Sequence, residues 1–333
     1  MICFISLVFA VLSVITDATL FSPYKDLGIG MDWNTFVIST DVTGQSESMI
    51  DVLPASGADT VTWAFATGEC GSEMWAGITP AQVAGNVQTW SDANKKYIIS
   101  TGGAAGVFKC ATDEGFKTFV DRYNSESLVG IDFDIEGGVE QADVDSLALR
   151  AKNAQALYPN LRISFTVACL GGNIPSAVLS TCGIMVMNSI KSVGLQGAYI
   201  NLMAMDYGSN DAGNCVLNSD GKCDMGASAV QAAKNLHNFY NIPYSLIEIT
   251  PMIGVNDAMD EVFSLSDATT VAAFAQQNGL GGVHFWSFDR DRDCVQAYPS
   301  STCNSIGNAG LLGFTKLFAG RLVDHSLDSQ TEL

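Results

Sequence analysis

The sequence predicts a single-domain α/β protein folded as a (β/α)₈ TIM barrel, and three observations support this. The chain has 333 residues, and one such barrel typically needs about 250. Eight apolar stretches rich in Val, Ile, Phe and Thr recur along it, each followed by a helix-like segment. No internal repeat, low-complexity run or Pro/Ser-rich linker divides the chain, so we expect one domain.

The apolar stretches have the composition of buried strands that alternate with helices, which is typical of a parallel sheet built from βα units. Eight such units predict a closed barrel that carries its functional groups at the carboxyl ends of the strands. In chain order the predicted strands are Leu27–Trp33, Thr60–Thr67, Tyr97–Thr101, Leu128–Glu136, Arg162–Cys169, Ala198–Asp206, Leu246–Pro251 and Gly282–Phe288.

Two of the intervening helices have recognisable start signals. Thr79 is followed by a proline, and Gln82 stands three residues after it, which is the pattern of a capping box. Asp267 similarly predicts the N-cap of a helix over Ala268–Asn278, and Gly279 stands where that helix would end.

The amino end carries an apolar run from Ile2 to Ile15 without a charged residue. The run is shorter than the ~20 apolar residues of a membrane span, and small residues follow it at a spacing suited to cleavage. We therefore predict a secretory signal peptide over residues 1–18, a barrel domain over 19–320 and a polar tail over 321–333. Because no Lys or Arg precedes the run, a buried first strand or helix is the alternative.

Cysteine usage also indicates secretion. Eight of the nine cysteines lie beyond the predicted leader, and an even number fits full disulfide pairing in an oxidising compartment, although some free buried thiols are the alternative. No C-x-x-C pair occurs and the histidines lie far from any cysteine cluster, so no metal and no cofactor are predicted. The spacing suggests the pairs Cys169–Cys182, Cys215–Cys223 and Cys294–Cys303, and Cys70 and Cys110 are expected to pair because they follow the neighbouring second and third strands.

The formal charge of −19 argues against partners that demand a positive protein surface, namely nucleic acid and anionic lipid. It is compatible with a neutral or weakly cationic polysaccharide. We expect an extracellular monomer with no membrane contact once the leader is removed.

The most informative stretch is the segment 130–137, GIDFDIEG. Strand side chains alternate between two faces, so Asp132, Asp134 and Glu136 share one face and the apolar residues between them share the other. If the apolar face packs on the outer helices, the three acids project into the barrel interior, where unpaired charge is costly.

Residues on one face of a strand repeat every ~6.6 Å, so these carboxyls are near enough to interact, and at least one proton should be held to higher pH. A carboxyl that stays protonated near neutrality is what the general acid of a glycosidase requires. A structural acid cluster or a calcium site is the alternative.

Together with two further motifs, this row of acids resembles the signature of glycoside hydrolase family 18, the chitinases and their relatives. The family pattern D-x-x-D-x-D-x-E of the fourth barrel strand is matched in its last three acids, while Val129 replaces the first. Residues 100–103 match the family's S-x-G-G, and Trp286 resembles its last-strand tryptophan. Segments 250–257 and 286–291 look like the bacterial and archaeal branch of the family.

The resemblance implies hydrolysis of β-1,4-linked N-acetylglucosamine polymers (chitin) with retention of configuration. Glu136 would protonate the glycosidic oxygen while the 2-acetamido oxygen of the substrate attacks the anomeric carbon, so no protein side chain acts as the nucleophile. Asp134 would orient and stabilise the resulting oxazolinium. Asp132 would tune Asp134 by sharing a proton or a hydrogen bond.

The resemblance also implies the contacts to the sugar. Trp286 would form the floor of the site, because an aromatic ring packs well against the apolar face of a sugar. The sixth strand of the family usually carries M-x-Y-D, whereas residues 203–207 read MAMDY. Met203 and Asp206 are predicted to contact substrate, and Tyr207 is predicted to supply the hydroxyl of the missing tyrosine.

Two other functions stay open. Proteins of this kind include lectins without catalytic activity, which typically lose the terminal glutamate that is present here as Glu136. An endo-β-N-acetylglucosaminidase acting on glycoprotein glycans would use the same pair of acids. Exo and endo action on the polymer are equally compatible with the sequence.

Overall fold

Parallel strands form one closed sheet in the computed structural model, which describes residues 19–258 and 260–323. The first strand, β1, has two segments, Leu20–Phe21 and Tyr24–Asp26. The first segment pairs with the last strand and the second with the second strand, so the barrel closes. The other barrel strands are β2 Thr60–Ala66, β3 Lys96–Gly102, β4 Leu128–Asp134, β5 Arg162–Ala168, β6 Tyr199–Met203, β7 Ile247–Thr250 and β8 Gly282–Val283.

Helices connect successive strands, as the predicted TIM barrel requires. Within the described residues they are α1 Met49–Ser56, α2 Pro80–Ala84, α3 Val87–Asp92, α4 Asp113–Tyr123, α5 Gln141–Ala154, α6 Thr181–Val193, α7 Met225–Tyr240, α8 Leu265–Asn278 and α9 Gly313–Leu322. Three short strand pairs outside the barrel join Ser39–Thr40 to Glu47–Ser48, Gly68–Glu69 to Phe108–Lys109, and Gly254–Val255 to Val262–Phe263. No helix in the described part is both long and apolar enough to cross a membrane.

Seven of the eight predicted strands are found, but the predicted first strand, Leu27–Trp33, is wrong. That segment is a loop, with Gly30 in the left-handed region at φ 69°. The true first strand precedes it and contains Lys25, whose side chain is buried in an ion pair. A buried lysine interrupts the apolar pattern that sequence reasoning depends on, so the strand was missed.

The helix caps agree in part with the predictions. Thr79 and Gln82 form the predicted capping box at the start of α2. Asp267 is not the N-cap of α8. The cap is Ser264, and Asp267 is the third residue of the helix, where its carboxylate accepts a hydrogen bond from the Ser264 backbone N–H. The predicted end of that helix, with Gly279 in a left-handed C-cap, is confirmed.

The alternation of faces predicted along β4 is present. Phe133 lies on the outer face, with its ring centroid 6.0 Å from that of Phe116 in α4 and 5.1 Å from that of Phe165 in β5. Asp132 lies on the inner face and is buried inside the barrel. The apolar layer between strands and helices therefore fixes β4 and aims its acids inward.

Three of the four predicted disulfides are confirmed, namely Cys70–Cys110, Cys215–Cys223 and Cys294–Cys303. The predicted pair Cys169–Cys182 is wrong, because both of these cysteines are free thiols. Cys182 lies in the first turn of α6 rather than in a loop returning to β5, and the sulfur of Cys169 lies 3.3 Å from the carbonyl oxygen of Met203.

The predicted signal peptide, residues 1–18, lies outside the described residues, as does the predicted tail beyond residue 323. The last helix runs to Leu322, two residues past the predicted end of the barrel domain.

A buried ion pair holds the start of the barrel to its end. Lys25 Nζ lies 2.7 Å from Asp289 Oδ2, and their side chains are 1% and 3% exposed. Lys25 also donates to the carbonyl oxygens of Asp26 and Ile29, and the hydroxyl of Thr40 donates to the other oxygen of Asp289. The pair therefore links β1 to the turn that follows β8.

We expect Lys25→Met to lower the free energy of unfolding by about 3–5 kcal/mol, because it leaves the Asp289 carboxylate buried without a countercharge. Lys96→Met is the matched control, since Lys96 and Asp59 are 53% and 44% exposed at 3.9 Å, and such pairs contribute about 1 kcal/mol or less. Urea unfolding measures both. If Lys25→Met lowered the free energy of unfolding no more than Lys96→Met does, the buried ion pair would not have the stabilising role assigned to it.

Candidate active site

The carboxyl ends of the strands surround a cavity of about 300 Å³. This is the end of the barrel where such proteins carry their chemistry. Four carboxylates and several aromatic and sulfur-containing side chains line it. They are Tyr24, Phe65, Ala104, Asp134, Glu136, Thr166, Met203, Met205, Asp206, Thr250, Met252, Asp257 and Trp286.

Asp132 lies beneath the cavity at the centre of a hydroxyl cluster. Its Oδ1 accepts hydrogen bonds from Ser164 (2.7 Å) and Thr166 (2.8 Å), and its Oδ2 accepts from Tyr24 (3.0 Å) and Ser100 (2.7 Å). Burial raises the pKa of Asp132, and the hydrogen bonds from Ser100, Ser164 and Thr166 oppose the rise. Since donors occupy both oxygens, the arrangement fits a hydrogen-bonded carboxylate better than the alternative of a calcium site.

Asp134 lies one step further along the same face and borders the cavity. It is only 5% exposed, and its Oδ1 has no hydrogen-bond partner among the described residues. Burial, followed by the negative charges of Glu136 and Asp132, holds the pKa of Asp134 well above its usual range. A buried carboxyl oxygen without a partner is costly, so this atom is poised to bind a group that enters the cavity.

Glu136 follows the end of β4 and lies at the mouth of the cavity, where it is exposed. The prediction that all three acids project into the interior therefore holds for Asp132 and Asp134 but not for Glu136. Partial desolvation and the charge of Asp206 raise the pKa of Glu136, against an opposing contact with the Ala104 backbone. The acid thus combines access to solvent with a proton that is retained to higher pH.

Trp286 lies among the residues that line the cavity, as predicted, and it stacks on Phe65 with ring centroids 5.6 Å apart and planes 20° apart. Met203 and Thr250 end the neighbouring strands β6 and β7 and line the same space. An aromatic wall beside a few polar groups is typical of a site for a small organic ligand such as a sugar.

Glycines of the S-x-G-G motif permit close packing around the acids. Gly102 has φ +88°, and a Cβ on it would lie 2.1 Å from the carbonyl oxygen of Asp134. Gly103 has φ +78°, and a Cβ there would lie 2.8 Å from the Phe65 ring. Any larger residue would displace either the strand that carries Asp134 or the ring that supports Trp286.

Tyr207 does not line the cavity, which differs from its predicted role. β6 ends at Met203, and Asp206 adopts φ +50°, so the alternation of faces that the prediction extended from Met205 to Tyr207 is lost. The Tyr207 side chain is buried, and its backbone N–H donates to Glu261. Asp206, also predicted, does border the cavity.

Several lining residues were not predicted. Tyr24 was missed because the first strand was misplaced, and Met205 because it stands where the family's M-x-Y-D pattern has its tyrosine. Phe65 belongs to a strand whose sequence carries no distinctive motif, and Asp257 ends the segment 250–257, for which no contact was predicted. Their position at or beyond the carboxyl ends of β-strands was the one available signal, since such ends meet at one edge of the barrel.

One group of candidate metal ligands occurs in the described part of the chain, formed by Glu69, Cys70 and Cys110. The two cysteines form a disulfide, which removes their thiolates as ligands. This group therefore does not fit a metal.

No family model matches the chain. Among curated proteins it is 30% identical over 224 residues to a probable bifunctional chitinase/lysozyme of Escherichia coli (strain K12), which covers 62% of this chain and 24% of that protein. It is 32% identical over 222 residues to Endochitinase 11 of Metarhizium anisopliae, covering 62% of this chain and 42% of that protein. The chain thus matches less than half the length of these curated relatives.

Solved structures extend the likeness to nearly the whole chain. The catalytic domain of a hyperthermophilic chitinase from Pyrococcus furiosus is 25% identical, with a TM-score of 0.71 over 91% of this chain and 94% of that one. A family GH18 chitinase from Chromobacterium violaceum is 15% identical, with a TM-score of 0.56 over 92% of this chain and 84% of that one, which shows the shared fold.

Proposed function

We propose that this chain is a chitinase-like member of glycoside hydrolase family 18 and that it hydrolyses β-1,4-linked N-acetylglucosamine polymers. The similarity to chitinases in sequence and in structure supports this proposal. The proposed route is substrate-assisted and retains the anomeric configuration. The curated relatives are named as chitinases, which supports chitin as the polymer. The site residues support the route.

The observation that carries the proposal is the unpartnered Oδ1 of Asp134 at the cavity wall. The N–H of a 2-acetamido group is a donor that would satisfy this oxygen. With that hydrogen bond made, the acetamido oxygen is turned toward the anomeric carbon of the same sugar. Asp134 then stabilises the positive charge that develops on the oxazolinium. Electrostatic stabilisation of this kind is usually the largest single contribution to catalysis.

Glu136 is the proposed proton donor to the leaving oxygen, because its pKa is raised and it reaches solvent at the cavity mouth. After the first step it takes a proton from the water that opens the oxazolinium. Asp132 is the proposed positioning residue. Its hydrogen bonds go to hydroxyls rather than to Asp134, so it acts on Asp134 through its negative charge, which raises the pKa of Asp134. Trp286 supports the apolar face of the sugar, with Met203 and Asp206 around it.

Secretion belongs to the same proposal. Three disulfides within the described residues fit an oxidising compartment. We propose that residues 1–18 direct export and are removed, leaving the barrel domain that begins at residue 19.

The pH dependence of hydrolysis tests the proposed acid pair. The rate on a chitin tetramer should fall at high pH as Glu136 loses its proton, and at low pH as the Asp132–Asp134 pair loses its negative charge. Tyr24→Phe removes one donor to the charged form of Asp132. Because such a donor lowers the pKa of a carboxyl, its loss should move the acid limb to higher pH, by roughly 0.5–1 pH unit.

Tyr97→Phe is the matched control. The Tyr97 hydroxyl is also buried, but it bonds the Tyr123 carbonyl and Ser125 rather than a carboxylate. The pH–rate profile of that variant should keep the wild-type acid limb. If Tyr24→Phe moved the acid limb to lower pH, or left it in place, the assignment of that limb to the Asp132–Asp134 pair would be wrong.

A further inference from the structure

Asn201 lies in the middle of β6 with its side chain in the barrel interior, and it is only 1% exposed. Its amide oxygen accepts a hydrogen bond from the Thr250 hydroxyl at 2.8 Å. Its amide nitrogen donates to the hydroxyls of Tyr24, at 3.1 Å, and Thr166, at 2.8 Å. The amide thus presents both of its hydrogens to two hydroxyl oxygens. Asn201 does not line the cavity, so it reaches the site only through these neighbours.

Tyr24 and Thr166 are also two of the hydroxyls that donate to Asp132. Each hydroxyl has a single hydrogen to donate. The two hydroxyl oxygens lie 3.0 Å apart, so either one could turn its hydrogen to the other. Because the Asn201 amide already donates to both oxygens, each hydroxyl directs its own hydrogen to Asp132, at 3.0 Å and 2.8 Å respectively. The amide therefore determines the direction of both hydrogen bonds.

We infer that Asn201 is a positioning residue for the proposed hydrolysis, because it keeps two hydroxyl hydrogens directed at Asp132. This inference rests on the proposed function, in which the Asp132–Asp134 pair must keep its negative charge. A hydrogen bond to the charged form of a carboxyl lowers its pKa. Asn201 therefore extends to lower pH the range over which the pair stays charged and the enzyme stays active.

Charged groups near Asp132 do not replace this contribution. The titratable groups packed against it belong to β1, β4 and β7, namely Tyr24, Asp134 and Glu248. The negative charge of Glu248 raises the pKa of Asp132. The cationic side chain of Arg162 and the imidazole of His284 both face Glu248, and no described side chain forms a salt bridge with Asp132. Hydroxyl donors are therefore what favours the charged form of Asp132.

The acid limb of the pH–rate profile on a chitin tetramer tests the inference. Asn201→Leu removes both donor hydrogens, so one hydroxyl should turn to the other and Asp132 should lose a donor. The limb should move to higher pH by roughly 0.5–1 pH unit, while KM at the optimum should change little. Asn201→Asp keeps the shape of the side chain but offers at most one donor hydrogen, so it should move the limb in the same direction.

Asn235→Leu is the matched control, since Asn235 is a buried asparagine of α7 whose amide donates to the Gly172 carbonyl. Its acid limb should equal that of the wild-type protein. A double variant separates positioning from a general structural effect. In a Tyr24→Phe background, Thr166 has lost the hydroxyl to which it could turn, so adding Asn201→Leu should move the limb no further.

The inference would be wrong if Asn201→Leu and Asn201→Asp both left the acid limb in place. It would also be wrong if Asn201→Leu moved the limb equally in the wild-type and Tyr24→Phe backgrounds. Carbon-13 NMR titration of labelled aspartate carboxyls, assigned with Asp132→Asn and Asp134→Asn, makes the same comparison without catalysis. Failure of the wild-type protein to cleave any tetramer would instead contradict the proposed function, and the titration would still decide whether Asn201 acts on the pair.

Discussion

Glu136→Gln should lower the rate of hydrolysis of N-acetylglucosamine oligomers by about 10²–10⁴-fold, the range typical of losing a general acid. The amide has nearly the same shape as the carboxyl but has no acidic proton to transfer to the leaving oxygen. Because Glu136 is exposed at the cavity mouth, the change should leave the fold and the affinity for oligomers largely intact. Steady-state kinetics and calorimetry on the same oligomer separate these effects.

Glu114→Gln is the matched control, since Glu114 is exposed on the outer helix α4. Its kinetic constants should equal those of the wild-type protein. Retention of full activity by Glu136→Gln would show that another group donates the proton. Loss of binding together with activity would show that Glu136 acts mainly in holding the sugar.

Asp134→Asn should reduce turnover by about 10²–10³-fold, the range observed when one electrostatic contact to a developing charge is lost. The asparagine can still accept a hydrogen bond from an acetamido N–H, but it carries no negative charge for the oxazolinium. Since that charge exists only along the reaction path, kcat should fall much more than KM rises.

An independent readout distinguishes a catalytic role from a structural one. A stable thiazoline analogue of the oxazolinium should bind the wild-type protein tightly and should lose more affinity in Asp134→Asn than the substrate does. Asp113→Asn, an exposed position at the start of α4, should change neither affinity. If Asp134→Asn weakened substrate binding and left kcat unchanged, Asp134 would be a binding residue only.

The sequence was sufficient to predict the barrel and the row of acids on β4, because both are encoded by regular repeats along the chain. Apolar strands repeat along the chain, and the period of two along β4 places Asp132 and Asp134 on one face. The same reasoning failed where the backbone departs from regular geometry. Asp206 takes a left-handed conformation, so counting in steps of two from Met205 put Tyr207 on the wrong face.

Long-range contacts between polar groups were beyond sequence reasoning for a different reason. Tyr24 and Ser164 reach Asp132 from strands that lie on either side of the barrel interior, and no local pattern reports such a meeting. The burial of Lys25 was equally unpredictable, because its ion-pair partner, Asp289, lies near the other end of the chain. Spacing was also a poor guide to Cys169 and Cys182, since a helix begins between them.

The most direct test of the account follows the anomers released from a chitin tetramer by the purified protein, using proton NMR in the first minutes of reaction. We predict that the β-anomer appears first and then equilibrates, and that the fully deacetylated tetramer and a plain glucan tetramer remain uncut, because neither carries the acetamido nucleophile. Initial release of the α-anomer would contradict the substrate-assisted route. Binding of the acetylated tetramer without any product across a broad pH range would identify the protein as a lectin.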